Sequence, residues 1–114
     1  MKKQTFAVIG LGRFGSAMAR TLTELGQDVI GIDADAERVQ KHADLIRSAL
    51  ELDANDERAL RTAGVQDVDV AVISIGENIE ASLLAVMIVK DLGVPRIIAK
   101  AVTTLHGRIL ERIG

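Results

Sequence analysis

A glycine-rich turn near the amino terminus constrains this chain more than any other feature. Thr5 to Ile9 (TFAVI) is an unbroken run of strand formers, suited to a strand buried on both faces. Gly10-Leu11-Gly12-Arg13-Phe14-Gly15 follows where that strand must turn into a helix, giving the pattern GxGxxG. In such a turn the first glycine permits the tight bend, the second lets a pyrophosphate approach the backbone, and the third lets helix and strand pack closely. The first amides of the helix and the positive end of its dipole make an anion site. Phe14, Ala17, Met18, Leu22 and Leu25 fall at helical spacing and define an expected apolar stripe, with Gly26 as the stop. Asp28 to Asp33 reads as the next strand. Asp33 stands eighteen residues after Gly15, where a carboxylate can accept both hydroxyls of an adenosine ribose. GxGxxG alone is a weak signal, but a strand before it, a helix after it and an acid ending the next strand together predict an adenine-nucleotide site.

The remaining chain supplies the other elements of a doubly wound sheet. Asp35 is placed to cap a short helix over about 36–43, with Val39 inward and His42 read as a surface residue. Ile46 to Leu50 reads as a third strand. The turn from Glu51 to Asp56 then opens a helix that Gly64 closes. Val68 to Ser74 is a fourth strand, and Ile75, Gly76, Glu77 and Asn78 follow at its carboxyl end, with Asn78 as cap of a helix from Ile79 to Leu92. Pro95 breaks the chain before a fifth strand, Arg96 to Val102, and Thr104 is positioned to cap a last helix. These elements predict a Rossmann-like α/β fold, with a parallel sheet of strand order 3-2-1-4-5 and helices on both faces. Ligands bind such sheets at the carboxyl ends of the strands, where the order reverses. Asp53 and Ala54 would then fall near an adenine held over Asp33, Gly76 would allow a sugar or phosphate to approach, and Lys100 would point toward the same crevice. Asp53 and Asn55 serve equally well as turn residues, Glu77 as a helix-cap acid, and His106 as a surface residue near a helix start.

Composition narrows the function classes. The 114 residues fit one domain, 1–114, and 48% of them are apolar while only 2% are aromatic, so the core must be Val, Ile, Leu and Ala. A net charge of −2 with interspersed signs offers no basic stripe for nucleic acid. Without cysteine there is no disulfide, thiolate metal site or cysteine nucleophile, and no HxxxH metal spacing occurs. No apolar run approaches the roughly 18 residues that span a bilayer, so the chain is expected to be soluble and intracellular. A nicotinamide enzyme needs groups that hold substrate and move a proton. With no Tyr, Cys or Trp, only His42 and His106 remain for that role near neutral pH. The binding half of a dehydrogenase is present without a catalytic half, which favours a nucleotide sensor and no enzymatic activity. The long fourth helix carries Ile79, Leu83, Leu84, Val86, Met87, Ile88 and Val89, more than one buried face requires, so self-association is expected.

The segments FAVIGLGRFG, VIGID, VISIGENIEASLLA, IIAKA and ILERIG resemble the RCK/KTN (TrkA-N) domain of bacterial potassium-transport regulators, in particular the Ktr type. The resemblance covers nearly the whole chain. The arginine inside the glycine turn, IGxNxxAS and the closing LxxIG separate it from a generic dehydrogenase. It implies binding of adenine nucleotides (ATP, ADP, NAD or NADH) and assembly as homodimers into an octameric ring. That ring docks on the cytoplasmic face of a membrane potassium translocator at the inner side of the plasma membrane and gates it by changing shape. It further implies that Gly10, Gly12 and Gly15 form the phosphate turn, flanked by Arg13 and Phe14, and that Arg13 contacts phosphates of its own or a neighbouring subunit. Asp33 would hold the ribose with Ala34 and Asp35 beside it. Asp53 and Ala54 would line the adenine slot, and Ile75, Gly76 and Glu77 the other side. Lys100, Ala101, Val102 and His106 would complete the wall. The family pattern continues past IG into a sixth strand, a crossover helix and a second regulatory domain, so a continuation beyond residue 114 is expected. Two other readings stay open: the cofactor half of an NAD-dependent oxidoreductase, and an S-adenosylmethionine methyltransferase. A carboxylate at Asp33 repels a 2′-phosphate, so NADP(H) is disfavoured.

Overall fold

The computed structural model describes residues 3–76, 78–101 and 103–113. Strands β1 (Thr5–Ile9), β2 (Asp28–Asp33), β3 (Ser48–Glu51), β4 (Val70–Ile73) and β5 (Arg96–Ala99) form one parallel sheet in the order β3-β2-β1-β4-β5. Helices α1 (Arg13–Glu24), α2 (Ala36–His42), α3 (Glu57–Thr62), α4 (Ile79–Asp91) and α5 (Thr104–Ile113) provide the crossovers and the carboxyl-terminal cover. The Rossmann-like topology is therefore the one expected. A one-turn 3₁₀ helix, Val65–Asp67, comes between α3 and β4 and was not anticipated.

Alternation along the central strands sorts the core into two layers, as the pleat requires. Ala7, Ile9, Ala71 and Ile73 pack with Leu60, Ala85 and Val89 on the face covered by α3, α4 and α5. Val8, Val70 and Val72 turn the other way and join Leu11, Ala19, Val29 and Ile46 under α1 and α2. Strand β4 is buried throughout and β1 from Ala7 onward, whereas β3 and β5 at the edges are half open.

Several local expectations change. In α1 the buried residues are Gly15 and Ala19, with Met18 and Leu22 packed against them, while Phe14, Ala17 and Leu25 face outward. Small residues let this helix lie close to the sheet, so the stripe is rotated from the large apolar positions. His42 is 5% exposed and its Nδ1 lies 2.8 Å from the Arg38 carbonyl oxygen; it is not a surface residue. Thr103, not Thr104, caps α5, its Oγ1 accepting the His106 N–H at 3.0 Å. Strands β4 and β5 are shorter than 68–74 and 96–102. No helix among the described residues is long and apolar enough to cross a membrane.

Candidate functional site

The strand register brings the site together. Ile9 pairs with Ile32 and Ile73, Ile32 with Leu50, and Ile73 with Ala99, forming one row across the sheet. The next residue of each strand therefore lies on a common carboxyl edge: Gly10, Asp33, Glu51, Ser74 and Lys100. Main-chain bonds continue past the strand ends, from Gly10 N–H to Ile32 O, Ser74 N–H to Ile9 O, Leu52 N–H to Asp33 O and Lys100 N–H to Ile73 O. A cleft opens over this edge. Its floor is Ile9, Gly10, Ile32 and Ser74, one side is Asp33, Ala34 and Arg38, and the other is Leu52 to Asn55 with Ile75 and Ala81.

Two glycines of the turn, Gly10 and Gly15, have the backbone roles that the pattern suggests. Gly10 has φ +100, and any Cβ there would meet the Ser74 carbonyl; Gly15 sits so close that a Cβ would run into the Gly10 carbonyl. Both are required by the backbone. Gly12, at the N-cap of α1, has an ordinary negative φ, and a Cβ there would meet only the Arg38 guanidinium, 3.9 Å away. Its side is left open for a ligand. Asp35, Asp56, Asn78 and Thr103 accept first-turn amides of α2, α3, α4 and α5. The start of α1 has no side-chain cap and no acid in its first turn. An anion would answer that unmet positive end.

Asp33 is the electrostatic centre of the cleft. Its Oδ2 accepts the Leu11 N–H at 2.7 Å and its Oδ1 accepts the Asp35 N–H at 2.8 Å. Arg38 Nη1 lies 3.6 Å from the same Oδ2, with the Asp33 side chain 9% exposed. Across the cleft, Asp53 Oδ1 accepts the Asn55 N–H and Asn55 Nδ2 donates to the Ala81 carbonyl, bracing the wall to α4. Asp53 and Asn55 are thus turn residues that also line the cleft.

The structure brings Gly10, Asp33, Ala34, Asp53, Ala54 and Ile75 together on the cleft surface. Gly12, Arg13 and Phe14 stand beside it at the start of α1, and Gly15 is buried beneath. Asp35 caps α2 next to Asp33. Gly76 is half-buried beyond Ile75, while Glu77 and Val102 lie outside the described residues. Lys100 is exposed, with its Nζ 5.7 Å from the Phe14 ring centroid, so the end of β5 reaches the start of α1. His106 is not at the cleft mouth: only 1% of it is exposed, which places its ring inside the protein. Arg38 and Ser74 line the cleft without having been singled out. Arg38 had one available signal, its position three residues after the capping Asp35, which turns it back toward Asp33.

Comparison with known proteins places this geometry in a family. The TrkA-N domain model matches residues 6–114. The Ktr system potassium uptake protein C of Bacillus subtilis (strain 168) is 42% identical over 114 residues, covering 100% of this chain and 51% of that protein. The chain spans about half the length of the curated relatives it matches. Among solved structures, the NAD(P)-binding domain of an exopolyphosphatase-related protein from Archaeoglobus fulgidus superposes with TM-score 0.85. It is 22% identical, over 97% of this chain and 83% of that one, and shows likeness of fold. The Kef CTD of Shewanella denitrificans in AMP bound form superposes with TM-score 0.82 at 25% identity, over 96% of this chain and 67% of that one. With its sheet order, its glycine turn and a family match from Phe6 onward, the chain belongs to the TrkA-N domain family.

Proposed function

We propose that this chain is the adenine-nucleotide-binding module of a potassium-uptake regulator, acting on the cytoplasmic side of a membrane translocator. One observation carries the nucleotide part: a pinned carboxylate, Asp33, and an open, uncapped helix start at Gly12 border the same cleft. The donor set fits the ligand. Asp33 retains acceptor capacity for a ribose hydroxyl beyond its two backbone bonds. The start of α1, with Arg13 and Arg38 nearby, suits phosphates. Leu52, Ala54 and Ile75 offer apolar surface to a base. The AMP-bound Kef structure, alike in fold and 25% identical, supports an adenosine ligand. The Ktr relative supports the potassium-uptake setting.

The module is a sensor rather than a catalyst. Its two histidines are 5% and 1% exposed, so neither presents an imidazole to a substrate in the cleft. Sensing requires that ATP, ADP, NAD and NADH favour different arrangements of a homodimer or ring, since only differential affinity moves a gate. Leu84 and Met87, 43% and 49% exposed on α4, form part of an outward apolar face available for self-association.

Thermal melting of the chain with ATP, ADP, NAD, NADH, NADPH and S-adenosylmethionine at matched concentrations tests this reading. A ligand at a hundred times its Kd stabilises the native state by about 2.7 kcal/mol. For a domain of this size that is a shift of roughly ten degrees or more. Shifts with ATP, ADP and NADH but not NADPH are expected. A shift confined to the dinucleotides would return the oxidoreductase reading, and none with any nucleotide would overturn the proposal.

A further inference from the structure

The cleft wall opposite Asp33 is tied to α4 by one side chain. Asn55 Nδ2 donates to the Ala81 carbonyl at 3.1 Å, in a partly buried bond between the turn after β3 and the first turn of α4. Both ends of this tie are themselves held. The Asp53 carboxylate accepts the Asn55 N–H at 2.8 Å, and the Asn78 side chain accepts the Ala81 N–H at 3.0 Å. Inside an α-helix a carbonyl already serves the amide four residues on. The bond from Asn55 is therefore additional. It can be made or broken without unwinding α4, which gives the wall two discrete arrangements.

Ala54 and Ala81, on either side of the tie, both line the cleft. A base lying against this wall would touch the same two elements that Asn55 joins, so base and bond favour one arrangement. The helix carries that effect outward. Ala81, Leu84 and Met87 stand three residues apart, on a ridge that leads from the cleft to the exposed side of α4. Resting on the nucleotide reading above, we propose that Asn55 is a positioning residue that couples base occupancy to the order of α4. An adenine in the cleft keeps the bond closed, and the first turns of α4, up to Leu84, open less often. A neutral hydrogen bond bounds the effect at about two- to tenfold in that opening equilibrium.

The test is hydrogen–deuterium exchange of the full chain with and without ADP, at concentrations that saturate each protein by calorimetry. Protection of the turn at 10–16 reports binding, and protection of α4 at 79–85 reports the coupling. In the parent, ADP is expected to slow both, α4 by about two- to tenfold. Asn55→Asp keeps the size and removes the donor, and should lose the α4 effect at saturation. Asn55→Ala, which adds no charge, should do the same, and this arm stands if the aspartate variant folds poorly. Protection of α4 that survives in a folded variant, or its absence in a parent whose turn is protected, overturns the inference while leaving nucleotide binding intact. Variants that fold but no longer bind ADP would make Asn55 a ligand contact and overturn it as well. No protection by ADP at either segment of the parent would overturn the nucleotide reading, and this inference with it.

Discussion

The Asp33 carboxylate accepts the backbone N–H of Leu11 at 2.7 Å, across 22 positions of sequence. The acid that ends β2 and the turn that follows β1 are thereby one unit, and the ribose and phosphate contacts proposed above would be fixed relative to each other. Asp33→Ala leaves a buried amide without its acceptor, which costs about 1–3 kcal/mol. It should also weaken every adenosine ligand. Asp33→Asn keeps an oxygen in place and should lose less stability. Urea unfolding of the two variants checks this, and equal loss in both would show that the one oxygen Asn retains replaces neither backbone bond.

Two glycines of the same turn should behave oppositely. Gly15→Ala drives a methyl into the Gly10 carbonyl, also bringing it to 3.4 Å from Val8 Cγ1, so helix and strand must separate. A loss of about 2 kcal/mol or more is expected, as for overpacking of a tight core contact. Gly12→Ala meets only the Arg38 guanidinium, at 3.9 Å, and should melt within a few degrees of the parent. Its nucleotide affinity should nevertheless fall, because the added methyl occupies the approach to the turn. Melting curves with and without ADP separate the two effects.

Lys100 and Phe14 join the last strand to the first helix at 5.7 Å, in a region open to solvent. An exposed cation–π pair couples by about 0.5–1 kcal/mol. A double-mutant cycle with Phe14→Leu and Lys100→Met should return that coupling without ligand. A value of zero would assign both side chains to solvent.

On α4, Met87 is 49% exposed beside Leu84. If this face carries the self-association proposed above, Met87→Asp should shift the chain toward monomer in sedimentation velocity while leaving its melting temperature nearly unchanged. A parent chain that stays monomeric at all concentrations would remove the face from consideration.

Strand identities and order were legible because buried parallel strands announce themselves as apolar runs, and the glycine turn fixed where the first helix begins. The caps at Asp35 and Asn78 were equally legible, since their side chains act on amides two or three residues away. What depended on distant packing was less visible. Ala19 is buried and Phe14 is not, because closeness to the sheet rather than side-chain size decides which face of α1 turns inward. His42 and His106 looked polar and exposed in sequence, yet they are 5% and 1% exposed, and His42 Nδ1 lies 2.8 Å from the Arg38 carbonyl oxygen of its own helix. For Arg38 the i,i+3 spacing from Asp35 was the one legible sign, and the fold adds its approach to Asp33 and Gly12.

The main-chain bonds that continue beyond the strand ends have a mechanical consequence. Gly10, Leu52, Ser74 and Lys100 donate their amides to Ile32, Asp33, Ile9 and Ile73, so all five strands remain laced together beneath the cleft. Those amides lie outside the regular strands but share the sheet's cooperative unit, and their deuterium uptake should be as slow as that of the strands themselves. The floor is therefore a fulcrum. In the sensing mechanism proposed above, the rims that carry Arg13 and Arg38 would then move against the sheet, which stays the fixed point.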